Sequence, residues 1–168
     1  MWLEDLEGNY LETIVVTEKI ATEGWVFNGG NRRVEALPYW MFRRSRVYSD
    51  GFMLPSSNDR MTDAVTAATP KKSSSAGIGS AVLSGSEYED SRLRIVAEFN
   101  HSTDFNEAWP ADAVPADDNW SGGEMGSGQP AVVYAAEFTP EELENGSVRL
   151  ELIGRSSADG SDGGLRTD

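Results

Sequence analysis

Two short segments in the second half of the chain have the residue pattern of β-strands, and they constrain the fold more than any other feature. In Arg92–Phe99 apolar residues alternate with mostly polar ones, which is the period of a strand with one buried face; the apolar set is Leu93, Ile95, Ala97 and Phe99. Ala131–Phe138 is a continuous apolar run, which is typical of a strand covered on both faces. The alternation returns in Val148–Ile153, so this half of the chain is predicted to form a sheet.

The first half of the chain adds a hairpin and one helix. Met1–Glu4 and Tyr10–Val16 flank a turn that contains a Gly-Asn pair, two residue types that accept a positive φ. Leu37–Arg44 is predicted to be a short helix, because a proline occupies its first turn and arginines lie near its negative C-terminal end. Between the last two strands, the segment 139–142 (Thr-Pro-Glu-Glu) is a capping-box sequence that begins a single helical turn.

Short strands, long loops and little helix together predict an all-β protein. The fold class that fits is an immunoglobulin-like antiparallel β-sandwich with one short helix and long loops, formed as a single domain over residues 1–168. Met1–Asp5 has neither the basic nor the apolar region of a signal peptide, and it has the pattern of a strand interior. We therefore expect the chain to be a piece of a longer protein.

The composition excludes several kinds of site. The chain has 28 acidic against 14 basic residues and a net charge of -14, so it would repel a phosphate backbone rather than bind nucleic acid. It has no cysteine and one histidine, His101, which excludes disulfides, zinc knuckles and multi-histidine metal centres. No apolar run approaches the roughly 18 residues of a membrane helix, so direct membrane insertion is not expected.

Three separated stretches share their order and spacing with a bacterial protein family. Trp2–Thr13 has a tryptophan, an acidic pair, a turn and a threonine; Thr62–Pro70 is similar to a segment Asp-x-Val-Thr-Gly-Ala-Thr-x-Pro; and the third stretch runs from Glu98 to Tyr134. Together they resemble domain-of-unknown-function family 2271, a family of predicted periplasmic bacterial proteins sometimes labelled as related to the flagellar hook-capping protein. The resemblance implies export to the periplasm or the cell exterior, an immunoglobulin-like fold and a missing first strand.

The segment 63–69 also resembles the local pattern Asp-x-x-Ser/Thr-Gly-Ala-Thr of bacterial proteins that carry FMN covalently. In those proteins an FAD-dependent transferase esterifies the FMN phosphate onto the final threonine, which here is Thr69. The resemblance gives Asp63 and Thr66 the role of orienting groups, and it makes Ala68 a small neighbour that lets the transferase close over the acceptor. It also implies two partners, an FMN transferase and a membrane redox protein.

The same segment has a second interpretation as an ordinary turn. Ala67 replaces the usual glycine of the pattern, and Pro70 replaces the usual hydroxyl residue after the acceptor. In a turn, Asp63 would cap the backbone, Val65 would pack inward and Pro70 would end the segment. Both interpretations stay open on the sequence alone.

The long segment between the two central strands, residues 101–128, is a candidate ligand-binding loop, because loops of this length in compact domains are usually functional or disordered. Trp109 and Trp120 lie in it near carboxylates and amides, among them Asp104 and Asn106. Exposed aromatic rings beside such groups can stack on a sugar ring and bond its hydroxyls. The alternative is that both tryptophans fold back onto the sheet as a lid, since tryptophan is largely buried on average.

Two other polar runs have simpler interpretations. His101, Ser102 and Asp104 are the residue types of a hydrolase triad, but triad partners converge from separate elements, so an ordinary loop histidine is favoured. The tail 157–163 alternates oxygen-bearing side chains with glycines. It lacks the distal glutamate of a helix–loop–helix calcium site, so a solvated acidic tail is favoured.

These observations give two functional hypotheses from different classes. The first is an extracytoplasmic accessory protein of a flavin-associated electron-transfer system, with FMN carried covalently on Thr69. The second is a non-catalytic immunoglobulin-like binding or assembly module that holds a protein or glycan partner. Neither hypothesis makes the chain an enzyme, and neither includes a metal site.

Overall fold

The computed structural model of the chain describes residues 1–23, 32–61, 88, 91–101, 103–144 and 146–167. Within these residues five strands form one antiparallel sheet, accompanied by a few short helices. The strands are β1 (Trp2–Glu4), β2 (Tyr10–Thr13), β3 (Leu93–Phe99), β4 (Val132–Phe138) and β5 (Glu151–Arg155). The helices are α1 (Glu18–Thr22), α2 (Pro38–Arg44) and α3 (Pro140–Glu144), with a 3₁₀ turn at Gly123–Met125. The predicted antiparallel β-structure is confirmed, and its arrangement as a sandwich stays a prediction.

The strand order β2-β1-β3-β4-β5 places the first strand of the chain inside the sheet. Trp2 lies opposite Thr13 of β2 on one side and opposite Val96 of β3 on the other. All three residues of β1 are buried, including Glu4. Because successive side chains point to opposite faces, both faces of the sheet are covered at this strand. The predicted hairpin is confirmed, although its second arm already ends at Thr13, and Gly8 in its turn has the expected positive φ, at 83°.

The central strands β3 and β4 lie where the sequence predicts them, but their burial differs from the prediction. Val132 is 38% exposed and Glu137 is also exposed, so the prediction that β4 is covered on both faces is wrong. Phe99, which the alternation assigns to the buried face of β3, is 41% exposed. It packs edge-on against Tyr134 with 5.9 Å between the ring centroids. Aromatic pairing at the surface thus accounts for part of an apolar pattern that is not fully buried.

The chain divides into two compact units, of which the first comprises Met1–Arg32, Val47–Ala97 and Ala135–Glu151. Its described core contains a cluster of four buried side chains, Leu3, Ile14, Leu93 and Phe138. Each of them is at most 5% exposed. Burying an apolar side chain of this size is worth roughly 1.5–3 kcal/mol, so each of the four contributes to the hydrophobic stabilisation of the first unit.

The second unit comprises Arg33–Arg46, Glu98–Tyr134 and Leu152–Asp168. Helix α2 supplies its most buried aromatic side chains, Tyr39 and Trp40, which are 2% and 1% exposed. The helix occurs as predicted, with Pro38 in its first turn, and it ends at Arg44, which is followed by Ser45 with a left-handed φ of 53°. The candidate loop between β3 and β4 belongs to this unit.

Helix α3 has the predicted capping box. The backbone N–H of Thr139 donates to Glu142 Oε2 at 2.8 Å, and the backbone N–H of Glu142 donates to Thr139 Oγ1 at 3.3 Å. Each bond satisfies a backbone donor that the helix itself leaves without an acceptor. The strand that follows begins at Glu151 rather than at Val148, where the sequence predicts it. None of the described helices is long and apolar enough to cross a membrane.

Candidate functional site

The loop between β3 and β4 is closed at its base by an aspartate and a glutamine. Asp104 Oδ1 accepts the backbone N–H of Gln129 at 2.9 Å, and Oδ2 accepts the side-chain Nε2 of Gln129 at 3.1 Å. Gly128 lies directly against this pair, because a Cβ at that position would come within 2.8 Å of Asp104 Oδ1. Its φ of +85° also favours glycine. The two ends of the loop are thus joined by side-chain bonds.

Inside the loop a second set of bonds forms a turn around Trp109. Asn106 Oδ1 accepts the backbone N–H groups of Ala108 and Trp109, each at 2.9 Å. Asparagine often bonds its own backbone a few residues ahead, which makes it a common turn residue. The side chain of Asn119 donates from Nδ2 to the Ala108 carbonyl at 2.9 Å. This last bond ties the second half of the loop to the first and supports the turn that carries Trp109.

Trp109 and Trp120 are both half-buried, unlike the core tryptophans Trp2 and Trp40, which are 0% and 1% exposed. The guanidinium carbon of Arg155, in β5, lies 5.9 Å from the centroid of the Trp109 ring. This distance is within the range of a cation–π interaction. The Trp109 indole is therefore held in place while part of it stays open to solvent.

Immediately after Trp109 in the sequence, the loop forms an open depression with an acidic lining. The residues around it include Pro110, Asp112, Ala113, Asp117, Asp118 and Asn119. Asp117 also holds the loop together, since its Oδ2 accepts the backbone N–H of Val114 at 2.8 Å. Asp112 and Asp118 are exposed, so the depression presents carboxylate oxygens to a ligand.

A buried carboxylate at the start of α2 was missed by sequence analysis, which placed Glu98 on the polar face of a half-exposed strand. Glu98 Oε1 accepts the backbone N–H of Tyr39 at 3.1 Å, and Oε2 accepts that of Trp40 at 2.7 Å. The helix begins after Leu37, whose side chain cannot cap it, so a residue of β3 takes that role. Burial raises the pKa of Glu98 to about 7, while the two backbone N–H bonds act in the opposite direction. An uncapped helix start was the sequence signal that could have indicated such a partner.

A second buried carboxylate, that of Glu35, lies against the glycine-rich end of the loop. A Cβ on Gly122 would come within 2.7 Å of Glu35 Oε1, so the loop backbone packs directly on this carboxyl group. The backbone carbonyl of Glu35 accepts the Ser127 hydroxyl at 3.3 Å and Asn100 Nδ2 at 3.4 Å. Burial raises the pKa of the Glu35 carboxyl. Glu98 and Glu35 thus support α2 and the loop, respectively.

The residues predicted from the sequence fall into two groups. Among the ligand-loop residues, Asn106 and Trp109 come together in one turn, Asp104 bonds Gln129, and Trp120 donates its backbone N–H to the Asp117 carbonyl at 3.1 Å. The loop assignment itself stays a prediction. The second group lies outside the residues that the structure describes; it consists of the FMN-site residues Asp63, Thr66, Ala68 and Thr69, together with Ser102 of the triad pattern.

The acidic tail of the second unit closes on itself. Asp159 Oδ1 accepts both the backbone N–H of Ser161, at 3.0 Å, and its hydroxyl, at 2.7 Å. Asp162 forms an ion pair with Arg166, at 2.8 Å. Within the described ranges, no group of three or more His, Asp or Glu side chains is placed to hold a metal ion.

Comparison with known proteins adds no relative to this picture. No protein-family model, no curated protein and no solved structure matches the chain.

Proposed function

We propose that this chain is a non-catalytic binding module that holds a glycan on the loop between β3 and β4, with Trp109 as the main contact residue. The observation that carries the proposal is that Trp109 is only partly buried while the Asn106 turn and Arg155 hold it in place. A ring that is already fixed loses little conformational entropy when a sugar stacks on it. The carboxylate of Asp112, in the depression that follows Trp109 in the chain, is a polar group of the same loop that can bond sugar hydroxyls.

The loop tryptophans are accessible enough to take part in such a contact. Trp109 and Trp120 keep part of their surface accessible, whereas Trp2 and Trp40 are almost fully buried. Residues 103–130 include six acidic side chains and no lysine or arginine. Such a loop repels an anionic polysaccharide, so we expect a neutral glycan as the ligand.

Titration with soluble neutral oligosaccharides is expected to quench or shift the intrinsic tryptophan fluorescence of the chain. Trp109→Ala is expected to weaken the affinity by about tenfold, because stacking on one aromatic ring contributes roughly 1 kcal/mol beyond the area buried. Phe52→Ala is the matched control, since it removes an aromatic side chain that is 52% exposed in the first unit. The absence of a saturable signal with glucan, xylan and chitin oligosaccharides, or equal losses in both variants, would contradict the proposal.

The proposal includes an immunoglobulin-like sandwich that works outside the cytoplasm. The resemblance of three stretches to a periplasmic family supports export. The antiparallel sheet is compatible with one layer of such a sandwich, because immunoglobulin-like folds pack two antiparallel sheets face to face. Fractionation of cells that produce the native gene product tests the location, and recovery in the cytoplasm alone would contradict it.

A flavin-carrying role for Thr69 is our second proposal, and the residue pattern of segment 63–69 supports it. Co-expression with an FAD-dependent FMN transferase is expected to give a fluorescent protein band and the mass increase of one esterified FMN. Thr69→Ala is expected to abolish both signals, because it removes the acceptor hydroxyl. Ser73→Ala is the control, since it removes a hydroxyl that lies outside the pattern and leaves the acceptor and its orienting groups in place. A wild-type chain without the added mass would rule out this role.

A further inference from the structure

We propose that Asp104 is a positioning residue that, together with Gln129, fixes the loop on which Trp109 lies. The pair Asp104–Gln129 is named the latch. This inference deepens the glycan-binding role proposed above, and only its ligand measurement rests on that role. The sequence predicts Asp104 as a ligand contact. In this proposal Asp104 instead supports Trp109, which is the ligand contact.

Both carboxylate oxygens of Asp104 already bind groups within the protein. They accept the backbone N–H of Gln129 at 2.9 Å and its side-chain Nε2 at 3.1 Å. The backbone of Asp104 takes part as well, because its carbonyl accepts Gln129 Nε2 at 3.2 Å and its N–H donates to the Ser127 carbonyl at 3.4 Å. A ligand that bonded this carboxylate would compete with these donors. The geometry therefore suits a residue that joins two chain segments.

The residue before the latch has a strained backbone. Thr103 has a φ of 64°, in the left-handed region that a β-branched residue rarely adopts. A conformation of this kind persists only where the surrounding structure over-determines it. The latch bonds begin at the next residue, and Gly128 allows the two segments to approach so closely that a Cβ there would lie 2.9 Å from the Phe105 nitrogen. The contacts at this corner thus outweigh a local backbone cost.

The latch is connected to Trp109 through the bonds of the loop. From Asp104 the chain continues directly to Asn106, whose side chain holds the Trp109 turn. On the other side of the latch, the Ser121 hydroxyl accepts the Gly128 N–H at 3.1 Å. Opening the latch would release both ends of the loop at once. The turn that carries Trp109 would then lose its fixed base.

Asp104→Ala tests the latch, with Glu124→Ala as the control, because Glu124 is an exposed acidic residue of the same loop. In Asp104→Ala we expect the indole N–H resonance of Trp109, assigned with Trp109→Phe, to shift and broaden. Amides of the loop are expected to exchange with solvent about tenfold faster, while the indole resonances of Trp2 and Trp40 stay unchanged. Glu124→Ala should leave all these signals as in the wild type. Asp104→Asn keeps an acceptor for the Gln129 N–H and is expected to restore part of the Trp109 signal.

An unchanged Trp109 resonance in Asp104→Ala would overturn the latch, and so would equal changes at Trp2 and Trp40, which would indicate a general loss of stability. These measurements need no ligand, so they decide on the latch even when no oligosaccharide binds to the wild type. Where a neutral oligosaccharide binds, Asp104→Ala is expected to weaken the affinity about tenfold. An unchanged affinity on a loosened loop would overturn the positioning role of Asp104.

Discussion

Glu98→Ala is expected to lower the free energy of unfolding by about 3 kcal/mol. The substitution removes both acceptors of the Tyr39 and Trp40 backbone N–H groups, which begin a helix whose aromatic side chains are almost fully buried. A buried donor left without an acceptor costs about 1–3 kcal/mol, and two donors are affected here. Urea denaturation at pH 6, followed by far-UV circular dichroism, measures the change. A loss below about 1 kcal/mol would show that α2 does not depend on this carboxylate.

The same side chain is expected to make the protein less stable as the pH rises from about 5 to about 7. Burial raises the folded-state pKa of Glu98 to about 7, above its ordinary value of 4.5, so the folded state binds more protons within that window. The stabilisation that Glu98 contributes is fully present below its ordinary pKa and is lost as the pH rises through its raised pKa. The free energy of unfolding falls by at most about 1.4 kcal/mol per pH unit.

Glu98→Gln is the control for this pH dependence, because glutamine stays neutral at every pH of the experiment. The stability difference between the wild type and Glu98→Gln isolates the titration of this one group from that of the other carboxylates, Glu35 included. As the pH rises, we expect the wild type to lose stability relative to Glu98→Gln. A difference that is constant between pH 5 and pH 8 would contradict the raised pKa.

Gly160→Ala is the other substitution for which we expect a large loss of stability, about 3 kcal/mol. Gly160 has a φ of +71°, which costs an alanine roughly 1–2 kcal/mol. The added Cβ would also come within 2.7 Å of the Glu35 nitrogen and closer still to the carbonyl group of Val34. Both neighbours are backbone groups, which cannot rotate away as side chains do, and overpacking of this kind adds about 1–3 kcal/mol.

Gly51→Ala separates the two causes of that loss. Gly51 also has a positive φ, of +85°, but an added Cβ would meet no atom within 4 Å. Alanine there has the backbone cost alone, about 1 kcal/mol. Chemical denaturation of both variants is expected to show a difference of about 2 kcal/mol, which measures the collision with the segment of Val34. Equal losses would mean that the tail does not pack on that segment.

The local elements of the fold could be predicted because their signals are local. The capping box of α3 and the proline at the start of α2 each specify an element within a few residues. The order of the strands could not be predicted in this way. It depends on the pairing of Leu3 with Ile95, and no periodicity within either segment encodes which distant strand becomes its neighbour.

Burial was predicted least well, and residues of one strand show why. Arg92, just before β3, and Glu98, within it, fall on the same side of the alternation, and the sequence treats both as polar and exposed. Arg92 does lie at the surface in an ion pair with Glu137, at 3.2 Å, whereas Glu98 is 7% exposed beneath the first residues of α2. The difference comes from which element covers each end of the strand. That coverage is a tertiary property that alternation does not contain.

The candidate site was located by the length and the aromatic content of its loop, but the roles of its residues were not predictable. Asp104 is an acidic residue near two tryptophans in the sequence, which suggests a ligand contact. Its actual partner, Gln129, lies at the far end of the loop and has no local signature. The turn of Asn106 is the exception, because asparagine commonly bonds backbone groups a few residues ahead.

The position of β1 inside the sheet also affects how the protein is made on the ribosome. Leu3 leaves the ribosome before Ile95, which lies opposite it and follows about ninety residues later, or several seconds at ordinary rates of translation. During that interval the hairpin of β1 and β2 presents an apolar strand edge without its second neighbour. Aggregation of nascent chains is therefore expected to begin at this hairpin, and a chaperone that covers it would protect the protein.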